Sequence, residues 1–160
     1  MNPSFREILE VLNKHEVEYI VVGGVAAVIQ GVPITTFDID TLVRINNDNA
    51  NRLVNALEDL DARYREHQST IRPTREDILA GGHLLLLTRA GPLDVLGFIG
   101  DNKRYEDLIR VSSEVAMTVG TFRVLDLEEL IRQRKATNRP KDRAVLDLLE
   151  EVMRRRNDFD

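Results

Sequence analysis

Two short stretches decide the fold: Tyr19-Ile20-Val21-Val22-Gly23-Gly24 and, after thirteen intervening residues, Asp38-Ile39-Asp40. The first is a β-branched burst, suited to a pleated and buried strand, and two glycines stop it abruptly. Val25 to Gln30 then has the composition of a short helix closed by Gly31, so the local order is strand, glycine turn, helix. Pro33 resets the chain, and Phe37 to Val43 returns to strand composition, with Phe37 and Ile39 alternating against Asp38 and Asp40. Residues two apart on a strand share a face, so the two carboxylates project together, about 7 Å apart along the backbone.

Paired carboxylates repel and need a counter-charge. Magnesium suits them, because it binds through one or two carboxylates, waters and substrate phosphates rather than a full protein cage. An Asp-x-Asp alone equally describes a solvated strand face, and a glycine pair alone describes a tight turn with positive φ. In combination they place glycine N–H groups that can cradle an anion beside carboxylates that can hold a cation.

Working outward, Ile8, Leu9, Leu12 and Val17 predict an amphipathic helix from Ser4 to Lys14. Asn46 to Asp48 supply a cap for a helix carrying Leu53, Val54, Leu57 and Leu60. Asp61 to Gly82 is polar and irregular, with Arg63, Arg65, Arg72 and Arg75, and reads as a loop or a weakly paired strand. His83 to Thr88 and Leu93 to Gly97 flank the turn-rich Arg89-Ala90-Gly91-Pro92 and predict a hairpin with Asp94 in its second strand. A second hairpin is expected where Val115, Met117 and Val119 meet Phe122 and Val124 across Gly120-Thr121.

Two helices finish the chain. The first runs from Leu127 to about Thr137 and is ended by Asn138 and Pro140. The second carries Ala144, Val145, Leu148, Leu149 and Val152 on one stripe, with Arg154 to Asp160 fraying. The fold class is α/β (α+β): a mixed sheet flanked by helices with a C-terminal helical pair. Residues 1–126 form the core, and 127–160 form a helical segment packed on it within a single domain.

Composition narrows the function. A chain of 160 residues suits one ordinary core, and a net charge of −5 argues against wrapping nucleic acid over the whole surface. There is no cysteine, so a disulfide framework, a thiolate metal site and a cysteine nucleophile are excluded, which fits a cytoplasmic setting. The longest apolar run, Tyr19 to Ile29, is broken by glycines and falls short of the roughly 20 residues of a membrane helix, so no membrane partner is expected. His15, His67 and His83 share no metal-like spacing, and no P-loop or nucleophile elbow is present.

Val22-Gly23-Gly24 and Asp38-Ile39-Asp40 at this spacing resemble the signature of the DNA polymerase β-like nucleotidyltransferases, over most of the chain. The resemblance implies a nucleotidyltransferase fold whose catalytic core is residues 1–126, and transfer of a nucleotide from an NTP such as ATP. It further implies Mg²⁺ or Mn²⁺ on Asp38 and Asp40, and β- and γ-phosphates on Gly23 and Gly24. A third carboxylate comes from a neighbouring strand in that family, and Asp94 in Leu93-Asp94-Val95-Leu96 stands in a fitting context, although alone it is as readily a surface residue near a turn.

Gly23-Gly24-Val25-Ala26, Gly31 and Thr36-Phe37-Asp38-Ile39-Asp40 are similar to the minimal and AbiEii-type toxin nucleotidyltransferases, which adds Thr36 to the nucleotide-binding set. Ile34 stands where those families carry arginine, and no lysine or arginine lies between Lys14 and Asp40. Lys135 to Asp142 resembles their Lys…Arg-x-Lys-Asp element and implies that Lys135, Arg139 and Lys141 contact the nucleotide. The four-residue spacing of Leu127, Ile131 and Lys135 places Lys135 on an apolar stripe near the sheet, where its ammonium either holds phosphate or snorkels.

Arg132, Arg134, Arg139, Lys141 and Arg143 suit phosphates or an RNA end, or form a solvated helix face balanced by Glu128, Glu129 and Asp147. The toxin resemblance implies a tRNA or other RNA end, or a protein hydroxyl, as acceptor, and a cognate antitoxin as partner. A non-catalytic nucleotidyltransferase-like module that binds nucleotide or partner is the rival: Ile34 favours it and the three aspartates oppose it. A metal-dependent phosphodiester hydrolase is the third reading.

Overall fold

The computed structural model describes residues 3–66, 70–137 and 139–159, and at 3, 4, 141, 142 and 159 the backbone alone. The chain opens with α1 (Pro3–Lys14), β1 (Tyr19–Val22), α2 (Gly23–Ile29), β2 (Ile39–Val43) and α3 (Asn47–Asp59). There follow β3 (Arg63–Tyr64), α4 (Arg75–Leu79), β4 (His83–Thr88), β5 (Gly91–Leu96) and α5 (Tyr105–Leu108), the last running into a 3₁₀ turn at Ile109–Val111. β6 (Ser112–Met117), β7 (Gly120–Leu125), α6 (Leu127–Thr137) and α7 (Pro140–Phe159) complete it. Among the described residues the strands form one seven-stranded mixed sheet in the order β3-β4-β5-β2-β1-β7-β6.

β1 lies in the interior of this sheet, antiparallel to β2 and parallel to β7, while β2 runs parallel to β5. All four residues of β1 are buried, so both faces are covered there, with α1 packing on α3 and α2 packing on α6. β4 behaves differently. It buries Leu84, Leu86 and Thr88 and exposes His83, Leu85 and Leu87, so one face of the β3-β4-β5 half is open. The acidic residues lie at the border between the covered and the open half.

The helices carry recognisable local causes. Asn46 caps α3 through its side-chain oxygen, which accepts from the Asn49 N–H at 2.8 Å. Asn49, 1% exposed, then receives the Glu18 N–H at 2.7 Å and donates to the carbonyls of Glu18 and Arg44 at 3.0 and 2.7 Å, tying α3 to the ends of β1 and β2.

Six expectations change, the first being that β5 begins at Gly91, so Pro92 and Gly91 pair with Leu87 and Thr88 and the turn narrows to Arg89-Ala90. Gly23 and Gly24 belong to α2, which starts two residues before Val25. β2 starts at Ile39, and Phe37, 82% exposed, precedes it outside the ladder. The polar stretch from Asp61 holds the two-residue strand β3 and also α4, opened by a Thr74–Asp77 capping box. The second hairpin turns at Thr118-Val119, because Met117 pairs with Gly120, whose φ of +112° follows the turn rather than lying within it.

The last correction concerns α7, which continues through Phe159 instead of fraying from Arg154. Arg156 donates to the Gln30 carbonyl at 2.6 Å and to its side-chain oxygen at 3.0 Å, a tie between the tail and the end of α2. The packed stripe of α7 is Val145, Leu149, Val152 and Met153, with Ala144 and Leu148 exposed. Asn138 and Asp160 lie outside the described residues. No described helix is long and apolar enough to cross a membrane.

Candidate active site

The strand register assembles the acids. Val22 pairs with Asp40 across β1 and β2, and Asp40 pairs with Asp94 across β2 and β5. Paired residues share a face, so Asp40 and Asp94 stand side by side, and Asp38 lies one strand step away from Asp40. Asp38, Asp40 and Asp94 each offer a carboxylate oxygen within 4.8 Å of the others.

Gly23 follows Val22 directly and therefore meets Asp40. Its φ is +65°, and a Cβ added there would lie 2.3 Å from Asp40 Oδ2, so glycine serves both the turn and the close approach. A Cβ on Gly24 would lie 2.9 Å from Thr36 Oγ1. The Thr36 hydroxyl donates to the Asp38 carbonyl at 3.0 Å and pins the loop that carries Asp38 into β2. On the far side the buried Thr41 hydroxyl donates to the Asp94 carbonyl at 3.0 Å, fastening β2 to β5.

The acids are electrostatically costly. Burial, reinforced by the negative charges of Asp38 and Asp94, pushes the Asp40 carboxyl up to about 8. Burial and the neighbouring Asp94 raise Asp38 as well, with Arg65 working the other way. Asp40 Oδ1 is buried without any hydrogen-bond partner, an orphaned acceptor in a cluster of like charge. A hard divalent cation fits this donor set, since it would satisfy that oxygen and neutralise the repulsion.

Two arginines reach the cluster: Arg65, to which the sequence reading gave no role, and Arg134, one of the basic residues it offered to phosphates or an RNA end. Arg65 donates from Nη2 to Asp94 Oδ1 at 2.8 Å, and Arg134 is close enough to Asp40 to oppose the rise in its pKa. A cavity of about 220 Å³ lies against Gly23 and Asp40, with Gln133, Arg134, Thr137 and Arg139 on its other wall. Lys135 does not line it. Its side chain is 61% exposed and its Nζ sits 3.6 Å from Glu150, so the apolar stripe of α6 ends before it. Counting from Leu127, the stripe follows Leu130 and Ile131 to Arg134, seven residues on, which is the signal that identifies Arg134. Arg132 is tied to Glu128 and Glu129, and the Lys141 side chain lies outside the described residues.

No protein-family model matches the chain, and no curated protein matches it in sequence. Solved structures do. The crystal structure of TM1012 from Thermotoga maritima, provisionally assigned as a nucleotidyltransferase, superposes with a TM-score of 0.56 at 18% identity, covering 89% of this chain and 88% of that one. The solution structure of the antibiotic-resistance factor ANT(2'')-Ia gives a TM-score of 0.59 at 18% identity, covering 98% of this chain and 89% of that one. The mixed sheet flanked by helices is thus a fold that this chain shares with both structures.

Proposed function

We propose that the protein is a metal-dependent nucleotidyltransferase that moves an NMP from an NTP to an acceptor hydroxyl. The observation that carries the reading is the meeting of Asp38, Asp40 and Asp94 beside Gly23, with the buried Asp40 Oδ1 lacking a partner. Asp38 and Asp40 hold Mg²⁺ or Mn²⁺ and Asp94 completes the set. The bound cation supplies charge neutralisation of the triphosphate and of the developing pyrophosphate.

The chain's own groups do the rest. The N–H groups of Gly23 and Gly24 receive the β- and γ-phosphates, and Thr36 keeps their loop in register with Asp38. Arg134 and Arg139, across the cavity from Asp40, are the cations best placed for the triphosphate. Lys141 follows on the same segment, while Lys135 is paired with Glu150 at 3.6 Å, away from the cavity. The acceptor oxygen attacks the α-phosphorus, its proton passes to Asp94, a new P–O bond forms, and the bond to the β-phosphate breaks in line to release pyrophosphate. Residues 1–126 make up the catalytic core in this reading and 127–160 close the nucleotide side.

Resemblance of the glycine and Asp-x-Asp segments to the minimal and AbiEii-type toxins supports an RNA end, a tRNA among them, or a protein hydroxyl as acceptor, a cognate antitoxin as partner and a cytoplasmic setting. The test is incubation with each α-labelled NTP and Mg²⁺ or Mn²⁺, offering total RNA, cell protein and an aminoglycoside in parallel, beside Asp38→Ala and Asp40→Ala. Label moving to one acceptor class only with intact aspartates establishes the activity. Metal-dependent nucleotide binding without transfer to any of them would assign the chain to the non-catalytic module instead.

A further inference from the structure

The segment from Gly23 to Asp38 carries no lysine or arginine, yet the acid cluster still receives a guanidinium, from the end of the edge strand β3. The Arg65 N–H donates to the Leu85 carbonyl at 3.0 Å, and Leu85 is the register partner of Asp94. Arg65 therefore continues β3 on the open face, and its side chain crosses β4 to reach Asp94 Oδ1 at 2.8 Å. The pair is sheltered, with 32% of the Arg65 side chain and 13% of the Asp94 side chain exposed. The Asp94 carboxyl also faces those of Asp38 and Asp40, with a carboxylate oxygen of each within 4.8 Å of the others.

We propose that Arg65 is a positioning residue: its guanidinium fixes the rotation of the Asp94 carboxyl, so that one oxygen is committed to Arg65 and the other faces the metal and the acceptor hydroxyl. The proposal rests on the nucleotidyl-transfer reading of this site. A planar guanidinium bonded to one carboxylate oxygen sets direction as well as charge, which an ammonium at the same place does not. A simple counter-ion, filling in for the cation until metal arrives, would have the same contact and a different consequence.

The two are separated by Arg65→Ala and Arg65→Lys, with Mn²⁺ binding followed by electron paramagnetic resonance alongside steady-state transfer. In Arg65→Ala, Mn²⁺ binding is expected to be retained or tightened, because a competing cation is gone. Turnover at saturating Mn²⁺ and NTP is expected to fall about 30- to 100-fold, with KM for NTP changed less than about threefold. Arg65→Lys recovers part of the loss, and millimolar guanidinium ion restores Arg65→Ala but not Asp94→Ala. Turnover of Arg65→Ala within about threefold of wild type at saturating Mn²⁺ would reduce Arg65 to a counter-ion, and loss of Mn²⁺ binding would make it a structural prop of the metal site; either result overturns the proposal. A wild type that transfers nothing sinks the nucleotidyl-transfer reading itself, whereas an active wild type beside an undiminished Arg65→Ala sinks this proposal alone.

Discussion

Replacing Asp40 by asparagine should make the metal-free protein more stable, and more so the higher the pH. The Asp40 carboxyl is raised from 3.8 to about 8 by burial and by Asp38 and Asp94. A raised acid is protonated in the folded state while still ionised in the unfolded one, so its contribution is complete below about pH 4 and is lost as pH climbs toward 8. Roughly four pH units at ~1.4 kcal/mol each set a ceiling on the order of 5 kcal/mol. Three interacting carboxylates share that cost, so removing one charge should recover about 2–3 kcal/mol at pH 8.5 and little at pH 5. Urea denaturation in EDTA at pH 5.5, 7.0 and 8.5 measures the gap directly. Mg²⁺ should close it by stabilising the wild type alone, while transfer activity disappears in Asp40→Asn. A gap that does not grow with pH, or an Asp40→Asn variant less stable than wild type at pH 8.5, would refute the account of Asp40 as a buried, mutually repelled acid.

Three further outcomes are expected. Because a cation must displace the Asp40 proton below about pH 8, Mn²⁺ affinity should rise close to tenfold per pH unit between pH 6 and 7.5 and flatten above 8, as read by calorimetry in two buffers of different ionisation enthalpy. Gly23→Ala meets both a φ of +65° and Asp40 Oδ2 at 2.3 Å, so it should cost about 1–2 kcal/mol in urea denaturation and reduce Mn²⁺ binding more than tenfold; unchanged binding would show that the glycine serves the turn alone. Asn49→Ala strips partners from the Glu18 N–H and from the carbonyls of Glu18 and Arg44, and should destabilise by about 2–4 kcal/mol in the same denaturation assay while leaving KM for NTP unchanged.

The sequence was legible where the physics is local. β1, the glycine pair and the two aspartates flanking Ile39 are each set by neighbours within a few residues: β-branched packing, positive φ, and the two-residue period of extended chain. Asp94 was legible as a position, through its apolar strand context, and the register of β2 on β5 then brought it to Asp40. α4 was missed because five residues are too few for a helical period to show, although Thr74 and Asp77 spell out its capping box. Lys135 was drawn toward the sheet by a four-residue count that ignored the slow drift of the apolar stripe, which Arg134 follows instead. Arg65 left no local trace, since its role depends on lying two strands from Asp94.

The placement of β1 has a consequence for how the molecule comes together. One of its neighbours, β2, begins about twenty residues on, whereas the other, β7, joins Ile20 to Arg123 across most of the chain. Closing that long loop is entropically costly and weighs on the rate of folding rather than on final stability. The glycine turn and its two aspartates can thus meet early, while the cavity wall from α6, which follows β7 in sequence, arrives only with the slow closure. If the site works as proposed, ions available during synthesis would meet an acid pair before its nucleotide wall exists, and the topology of one strand would set metal loading ahead of nucleotide selection.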